Sequence, residues 1–209
     1  MQPSPSRVYV GTSGWSYASW RPHFYPEGTK PEDFLRLYAE RFDTVELNTT
    51  GYRLPSEDQF RRWGDAVPDG FRFAVKMPVF RLDRVTTFVE RVSLLGDRLG
   101  PIRAVVRSPR DDGLLQFLLG SIDPALELAF DFRHESWEGV SGVLRVGDLD
   151  AEPFRYVRLR EPPYTDEQLV RLAEQLRRPA YVYFRHEDEP TAPLYAARLR
   201  ELLADRPGG

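Results

Sequence analysis

With 209 residues and 24.2 kDa, 41% hydrophobic and 13% aromatic, the chain is long enough to bury one substantial core and short for two. Charged residues make up 29% and nearly cancel, 29 basic against 32 acidic for a net −3, which excludes a disordered charged tail and a histone-like polycation. Having no Cys excludes thiol catalysis, disulfides, iron–sulfur clusters and Cys-type zinc sites, and His23, His134 and His186 are too few for a multinuclear zinc site.

The first apolar run, 8–11, reads as a strand and leads into Gly11-Thr12-Ser13-Gly14-Trp15. A helix is expected over 31–41, where Lys30-Pro31-Glu32 puts Pro and an acid in the first turn. A strand at 44–47 precedes a helix at 56–66, with Ser56 as its cap and Glu57 and Asp58 behind it. Strands at 71–75, 102–106 and 126–132 then alternate with helices at 86–99 and 113–119. Between 137 and 154, where a further unit is due, the sequence offers only a weak Val-Leu-Arg-Val run at 143–146. Strands at 156–159 and 180–184 and helices at 166–176 and 191–203 complete the chain. This alternation predicts an α/β fold with a parallel sheet, as a single domain over 1–209. The start MQPSPSRVYV has no basic segment before an apolar one, and no run nears the roughly 18 apolar residues of a membrane span, so a cytoplasmic monomer without membrane contact is expected.

Strands covered by helices on both faces are apolar throughout, yet polar residues alternate along these. Glu46 opposes Val45 and Leu47; Lys76 shares a face with Arg72; Asp131 and Arg133 oppose Phe130 and Phe132; Tyr156, Arg158 and Arg160 oppose Val157 and Leu159. A closed barrel turns such a face inward and gathers the C-terminal strand ends at one mouth. A closed α/β barrel is therefore predicted, with one strand-helix unit between 137 and 154 truncated or lost. Its strand ends carry Glu46 and Asp131 against Lys76, Arg107, Arg133, Arg158, Arg160 and Arg185, a cationic mouth in an acidic chain.

Nearly the whole length, in order, carries motifs that resemble the YecE-like family, also called domain of unknown function 72. They are GTSGWSYASW with Phe24 to Pro26, FDTVELN with Tyr52 and Pro55, WGDAVPDGFRFAVKMP from Trp63, LGP from Leu99, FDFRHESW from Phe130, YVRLR from Tyr156 and YVYF from Tyr181. The resemblance implies a TIM-type barrel and no settled reaction; fold analogy with apurinic endonucleases has suggested a nucleic-acid-related role. Three features depart from the family pattern: Arg107-Ser108-Pro109 replaces a QLPP stretch, Arg185-His186 replaces paired Asn, and the sixth unit, which often carries an Asp, is missing.

Several residues can carry chemistry. Glu46 and Asn48, two apart, can hold a ligand hydroxyl or one corner of an acid–base site, and the alternative is a buried carboxylate held by arginine. Lys76 can bind phosphate, pair with Glu46 or Asp131, or form a Schiff base; anion binding or pairing is favoured, because no sugar-aldolase signature accompanies it. Asp131, Arg133 and His134, with Trp137 beyond, place an acid, an anion clamp and a titratable base together, or else form a bracing network. Thr12 and Ser13 offer hydroxyls, while Trp15 and Tyr52 offer rings for a base or sugar, or a hydrophobic lid. Ser-His-Asp catalysis lacks a supporting elbow motif, and no metal or cofactor is expected.

The first expectation is a site that binds, with or without processing it, a phosphate-bearing small molecule such as a nucleotide, or a single-stranded nucleic acid. Thr12, Ser13, Trp15, Asn48, Tyr52, Lys76, Arg133, Trp137 and Arg158 would bind it, with Glu46, Asp131 and His134 in any catalytic role. The alternatives are a metal-independent acid–base enzyme (hydrolase, lyase or isomerase) on a sugar or sugar phosphate, and a degenerate non-catalytic barrel whose charges only brace its interior.

Overall fold

Seven strands, β1 (Val8–Ser13), β2 (Thr44–Leu47), β3 (Arg72–Met77), β4 (Leu99–Val106), β5 (Leu128–Phe132), β6 (Arg155–Leu159) and β7 (Ala180–Phe184), occupy the seven expected apolar runs in a computed structural model describing residues 7–79, 82–186 and 189–206. Six α-helices separate them: α1 (Phe34–Ala39), α2 (Glu57–Asp65), α3 (Val85–Val92), α4 (Asp112–Ser121), α5 (Asp166–Gln175) and α6 (Thr191–Ala204). The chain divides into two compact units, Met1–Glu46 with Gly147–Gly209, and Leu47–Val146. Strand pairing within each is parallel, and strand-then-helix order with parallel pairing is the α/β arrangement of the TIM type.

In the first unit β1 lies between β2 and β7, and β6 lies beyond β7. The register sets Ser13 opposite Glu46, Val8 opposite Ala180 and Arg158 opposite Tyr183. Helix α6 packs on β1, β7 and α5. Helix α5 starts with a capping box, in which Thr165 accepts from the Gln168 N–H and Gln168 reaches back to Thr165. Helix α1 is shorter than the expected 31–41, because Pro31–Asp33 forms a 3-10 turn and α-geometry begins at Phe34.

In the second unit β4 lies between β3 and β5, with Lys76 opposite Arg103 and Arg103 opposite Ala129. Ser56 caps α2 as its sequence suggests, accepting from the Gln59 N–H, and Asp111 caps α4 from Leu114. Helix α3 stops at Val92 instead of continuing to 99. The segment Ser93–Arg98 is 3-10, and Gly96 at φ 54° takes a left-handed turn that delivers the chain into β4 three residues early. The short sixth unit survives as one parallel bridge, Phe130 to Arg145, with hydrogen bonds from Phe130 N–H to Leu144 O and from Val146 N–H to Phe130 O, each 2.8 Å. No helix among the described residues is long and apolar enough to cross a membrane.

Candidate functional site

Many of the polar residues that interrupt the strands are buried, among them Thr12, Ser13, Thr44, Glu46, Lys76, Arg103 and Asp131. Burial of a charged group is stable only with hydrogen-bonding or ionic partners, so those partners define what each group can do.

In the first unit, strands β2 and β6 bring Glu46 and Arg158 together. Glu46 is fully buried; its Oε1 accepts from the Tyr156 hydroxyl at 2.7 Å and its Oε2 from Arg158 Nε at 2.8 Å. Arg158 also donates to Ser13 Oγ at 2.9 Å, so its fork ties β6 to both β1 and β2. Thr12 is held by Tyr38, whose hydroxyl accepts from the Thr12 N–H at 2.9 Å and donates to the Thr44 carbonyl at 2.9 Å. Burial, with the Glu46 charge behind it, raises the Tyr17 phenol above its ordinary pKa, and Arg158 opposes this. Trp15 is buried, its carbonyl accepting from Tyr25 at 2.6 Å, and Trp20, Phe24, Tyr25 and Phe34 pack together beside it. The expectation that this aromatic segment offers stacking surface is corrected here: these rings fill the core under α1.

In the second unit a carboxylate again meets arginine. Asp131 lies 3.0 Å from Arg133 Nε and 3.7 Å from the buried Arg103 Nε. Arg103 also donates to Asn48 Oδ1 at 3.2 Å. Asn48 has left the strand for αR geometry, where its Oδ1 meets Arg103. His134 Nδ1 accepts from the Ser136 N–H at 3.2 Å and so caps the short turn Glu135–Trp137. Trp137, 1% exposed, stacks on Phe132 at 4.4 Å and donates to the Ser108 carbonyl, so it is core and offers no open face.

Lys76, at the end of β3, differs from these braced groups. It is 6% exposed, and its Nζ sits 3.7 Å from the ring centroid of Tyr52, itself 66% exposed. The two form part of a pocket of about 200 Å³ lined also by Met77, Val79, Val105, Arg107, Ser108 and Leu114. The expected ion pair of Lys76 with Glu46 or Asp131 does not form: arginines hold both carboxylates, and none of the described residues' carboxylates pairs with Lys76 or Arg107. Burial lowers the Lys76 pKa, with Arg103 and Arg107 adding repulsion, against a raising effect from Tyr52. The Tyr52 phenol is lowered by hydrogen bonding to Lys76 and by its charge, with Arg107 and Arg103 contributing. Among the described residues, no group of three or more His, Asp or Glu could hold a metal ion.

Arg103 is the residue that inspection of the sequence passes over. Its signal is a lone charge inside the apolar run Ile102–Val106, the same signature that marks Glu46 and Asp131. Tyr156, the direct partner of Glu46, is likewise legible only once register is known.

Residues 9–146 match the family described as "Protein of unknown function DUF72". The chain is 30% identical over 139 residues to UPF0759 protein YecE of Escherichia coli strain K12, covering 61% of this chain and 48% of that protein. It is 29% identical over 69 residues to UPF0759 protein YunF of Bacillus subtilis, covering 33% and 23%. The chain thus spans at most about half the length of these curated relatives. A DUF72 family crystal structure from Thermotoga maritima superposes with a TM-score of 0.70 at 25% identity over 95% of this chain and 99% of that one. One from Enterococcus faecalis gives 0.74 at 16% over 96% and 99%. The fold is α/β and TIM-like, and the chain belongs to the DUF72, YecE-like family, whose biochemical function is unknown.

Proposed function

We propose that the second unit binds a small phosphate-bearing molecule in the pocket of Lys76, Arg107 and Tyr52. The observation that carries the reading is the pocket's composition: two cations, an exposed aromatic ring and Ser108 on a wall of Met77, Val79, Val105 and Leu114, with no carboxylate in its lining. Lys76 acts as a point charge and Arg107 as a fork for the phosphate, while Met77, Val79, Val105 and Leu114 cover an uncharged body. A volume of about 200 Å³ suits a sugar phosphate better than a whole nucleotide or a track for an extended strand. Titrating the protein with inorganic phosphate, AMP and ribose 5-phosphate by calorimetry tests it. Saturable binding that weakens at least tenfold in both Lys76→Ala and Arg107→Ala is expected. Binding unaffected by either change overturns the assignment, and tighter binding of single-stranded RNA than of AMP, lost in both variants, transfers it to nucleic acid.

Glu46 and Asp131 serve as braces in this reading. Both oxygens of Glu46 accept from Tyr156 and Arg158, and Asp131 is flanked by Arg133 and Arg103. Such saturation favours a structural role over acid–base catalysis on a sugar.

A further inference from the structure

The pocket's lysine is placed to react as well as to bind. Arginine outnumbers lysine heavily in this chain, Lys30 and Lys76 being the only lysines, and Lys30 is exposed on the surface. Lys76 instead ends β3 with its stem packed flat on Gly51, so closely that a Cβ there would lie 2.6 Å from Lys76 Cδ and 2.9 Å from Cε. Thr50 Oγ1 donates to the Lys76 carbonyl at 2.8 Å and to the Leu47 carbonyl at 3.0 Å, fixing the backbone from which the stem departs. The ammonium end thus has a set position, against the Tyr52 ring and at the wall of a mostly apolar pocket. Arg107 lines the same pocket and Arg103 sits opposite in register, while among the described residues no carboxylate pairs with Lys76. Desolvation and like charge both favour the neutral amine, the form with a lone pair to donate.

We propose that Lys76 forms an imine with an anionic aldehyde or ketone bound in this pocket, a phosphorylated carbonyl compound being the class that fits. The proposal rests on the phosphate-binding reading above and adds to it a carbonyl carbon within reach of Nζ. The neutral amine donates its lone pair to that carbon, the C=O π pair moves to oxygen, and proton transfer from nitrogen to oxygen gives the carbinolamine. The C–O bond then breaks, its hydroxyl leaving as water with the proton of the Tyr52 phenol. The Tyr52 phenolate takes the remaining N–H proton, so that amine and carbonyl give imine and water and Tyr52 ends as it began. Its exposed phenol and lowered pKa suit that exchange with water. Lys76 gives up its point-charge contact when it releases its proton to water, and Arg107 then holds the phosphate while Met77, Val79, Val105 and Leu114 cover the apolar side of the C=N bond.

Reductive trapping tests this. The full chain is incubated with glyceraldehyde 3-phosphate and cyanoborohydride near neutral pH, in parallel with unphosphorylated glyceraldehyde, and the adducts are mapped by peptide mass spectrometry. The expected result is one reduced adduct on Lys76, exceeding that on Lys30 by at least about tenfold. Excess inorganic phosphate should suppress it, Lys30→Arg should leave it intact, and Tyr52→Phe should slow it several-fold. Equal labelling of Lys30 and Lys76, or labelling of Lys30 alone, overturns the proposal even where phosphate binds. Labelling of Lys76 that is the same with and without the phosphate group, and insensitive to added phosphate, supports the reactive amine and overturns the phosphate reading instead. The test reads the wild-type lysine directly, so it stands even if a Lys76 variant fails to fold.

Discussion

Replacing Arg158 by Met tests whether Glu46 is a brace. The Glu46 carboxylate is fully buried, and Arg158 Nε lies 2.8 Å from its Oε2. At an effective dielectric of about 20, two charges at that distance attract by about 6 kcal/mol. Met fills much of the aliphatic volume of the arginine and supplies no charge, so the carboxylate keeps the Tyr156 hydroxyl bond, worth about 2 kcal/mol to a charged acceptor, and loses the guanidinium. Ser13 Oγ loses a donor in the same step. The net cost should fall in the range of about 3–5 kcal/mol seen when one partner of a buried pair is removed. For a chain of this length that lowers Tm by roughly 6–20 °C. Urea unfolding followed by circular dichroism measures it, alongside Glu46→Gln/Arg158→Met, in which both charges are gone. The double variant should recover about 2 kcal/mol or more of the loss. A single variant within about 1 kcal/mol of wild type, or a double variant no more stable than Arg158→Met, would refute the brace and return Glu46 to the candidates for catalysis.

Gly51→Ala should push the Lys76 stem off its seat, since the added methyl meets Cγ, Cδ and Cε inside 3 Å; overpacking of this kind costs about 1–3 kcal/mol in stability, and phosphate affinity measured by calorimetry should fall with it. Tyr38→Phe removes the hydroxyl that accepts from the Thr12 N–H and donates to the Thr44 carbonyl, leaving both buried, and should cost about 1–3 kcal/mol in urea unfolding while sparing phosphate binding in the other unit. Stability should fall as pH rises above 10. Burial raises Tyr17, Tyr25, Tyr38 and Tyr183 above their ordinary 10.0, so the unfolded chain releases those protons first and the native state binds more. Lys76, lowered from 10.5, and Tyr52, lowered from 10.0, act in the opposite direction but are two groups against four, so a urea midpoint that holds or climbs from pH 9.5 to 11 would contradict these assignments.

Strand positions were legible because each apolar run is short and bounded, and alternation marked the faces that carry Glu46, Lys76 and Asp131. The 3-10 segments were not: Pro31–Asp33 and Ser93–Arg98 contain ordinary helix formers, and only the backbone at Gly96 shows where α-geometry ends. Pairing was also hidden. Whether Arg103 or Lys76 would meet Asp131 depends on register across strands distant in sequence, which no local pattern encodes. Trp15, Trp137 and Tyr52 belong to types that suit a core and a binding face equally, and only burial separates the first two from the third.

The distribution of cations over the two kinds of environment gives the lysine its meaning. Where a buried carboxylate needs a permanent, directional partner, the chain places arginine: Arg158 at Glu46, Arg103 and Arg133 at Asp131. A guanidinium keeps its proton under any condition the fold survives, and its fork satisfies two acceptors at once. Were the pocket at the end of β3 built only to grip an anion, arginine would serve there at least as well, since forked hydrogen bonding to phosphate is its strength. Lysine at 76 gives up that fork and gains one property arginine lacks, an amine that burial and neighbouring cations can strip of its proton. That exchange helps a site only if a neutral nitrogen has work to do. Lys76→Arg is therefore the informative variant: if it holds phosphate as well as wild type and yields no trapped adduct, the two roles of the side chain separate, and the amine exists for its lone pair.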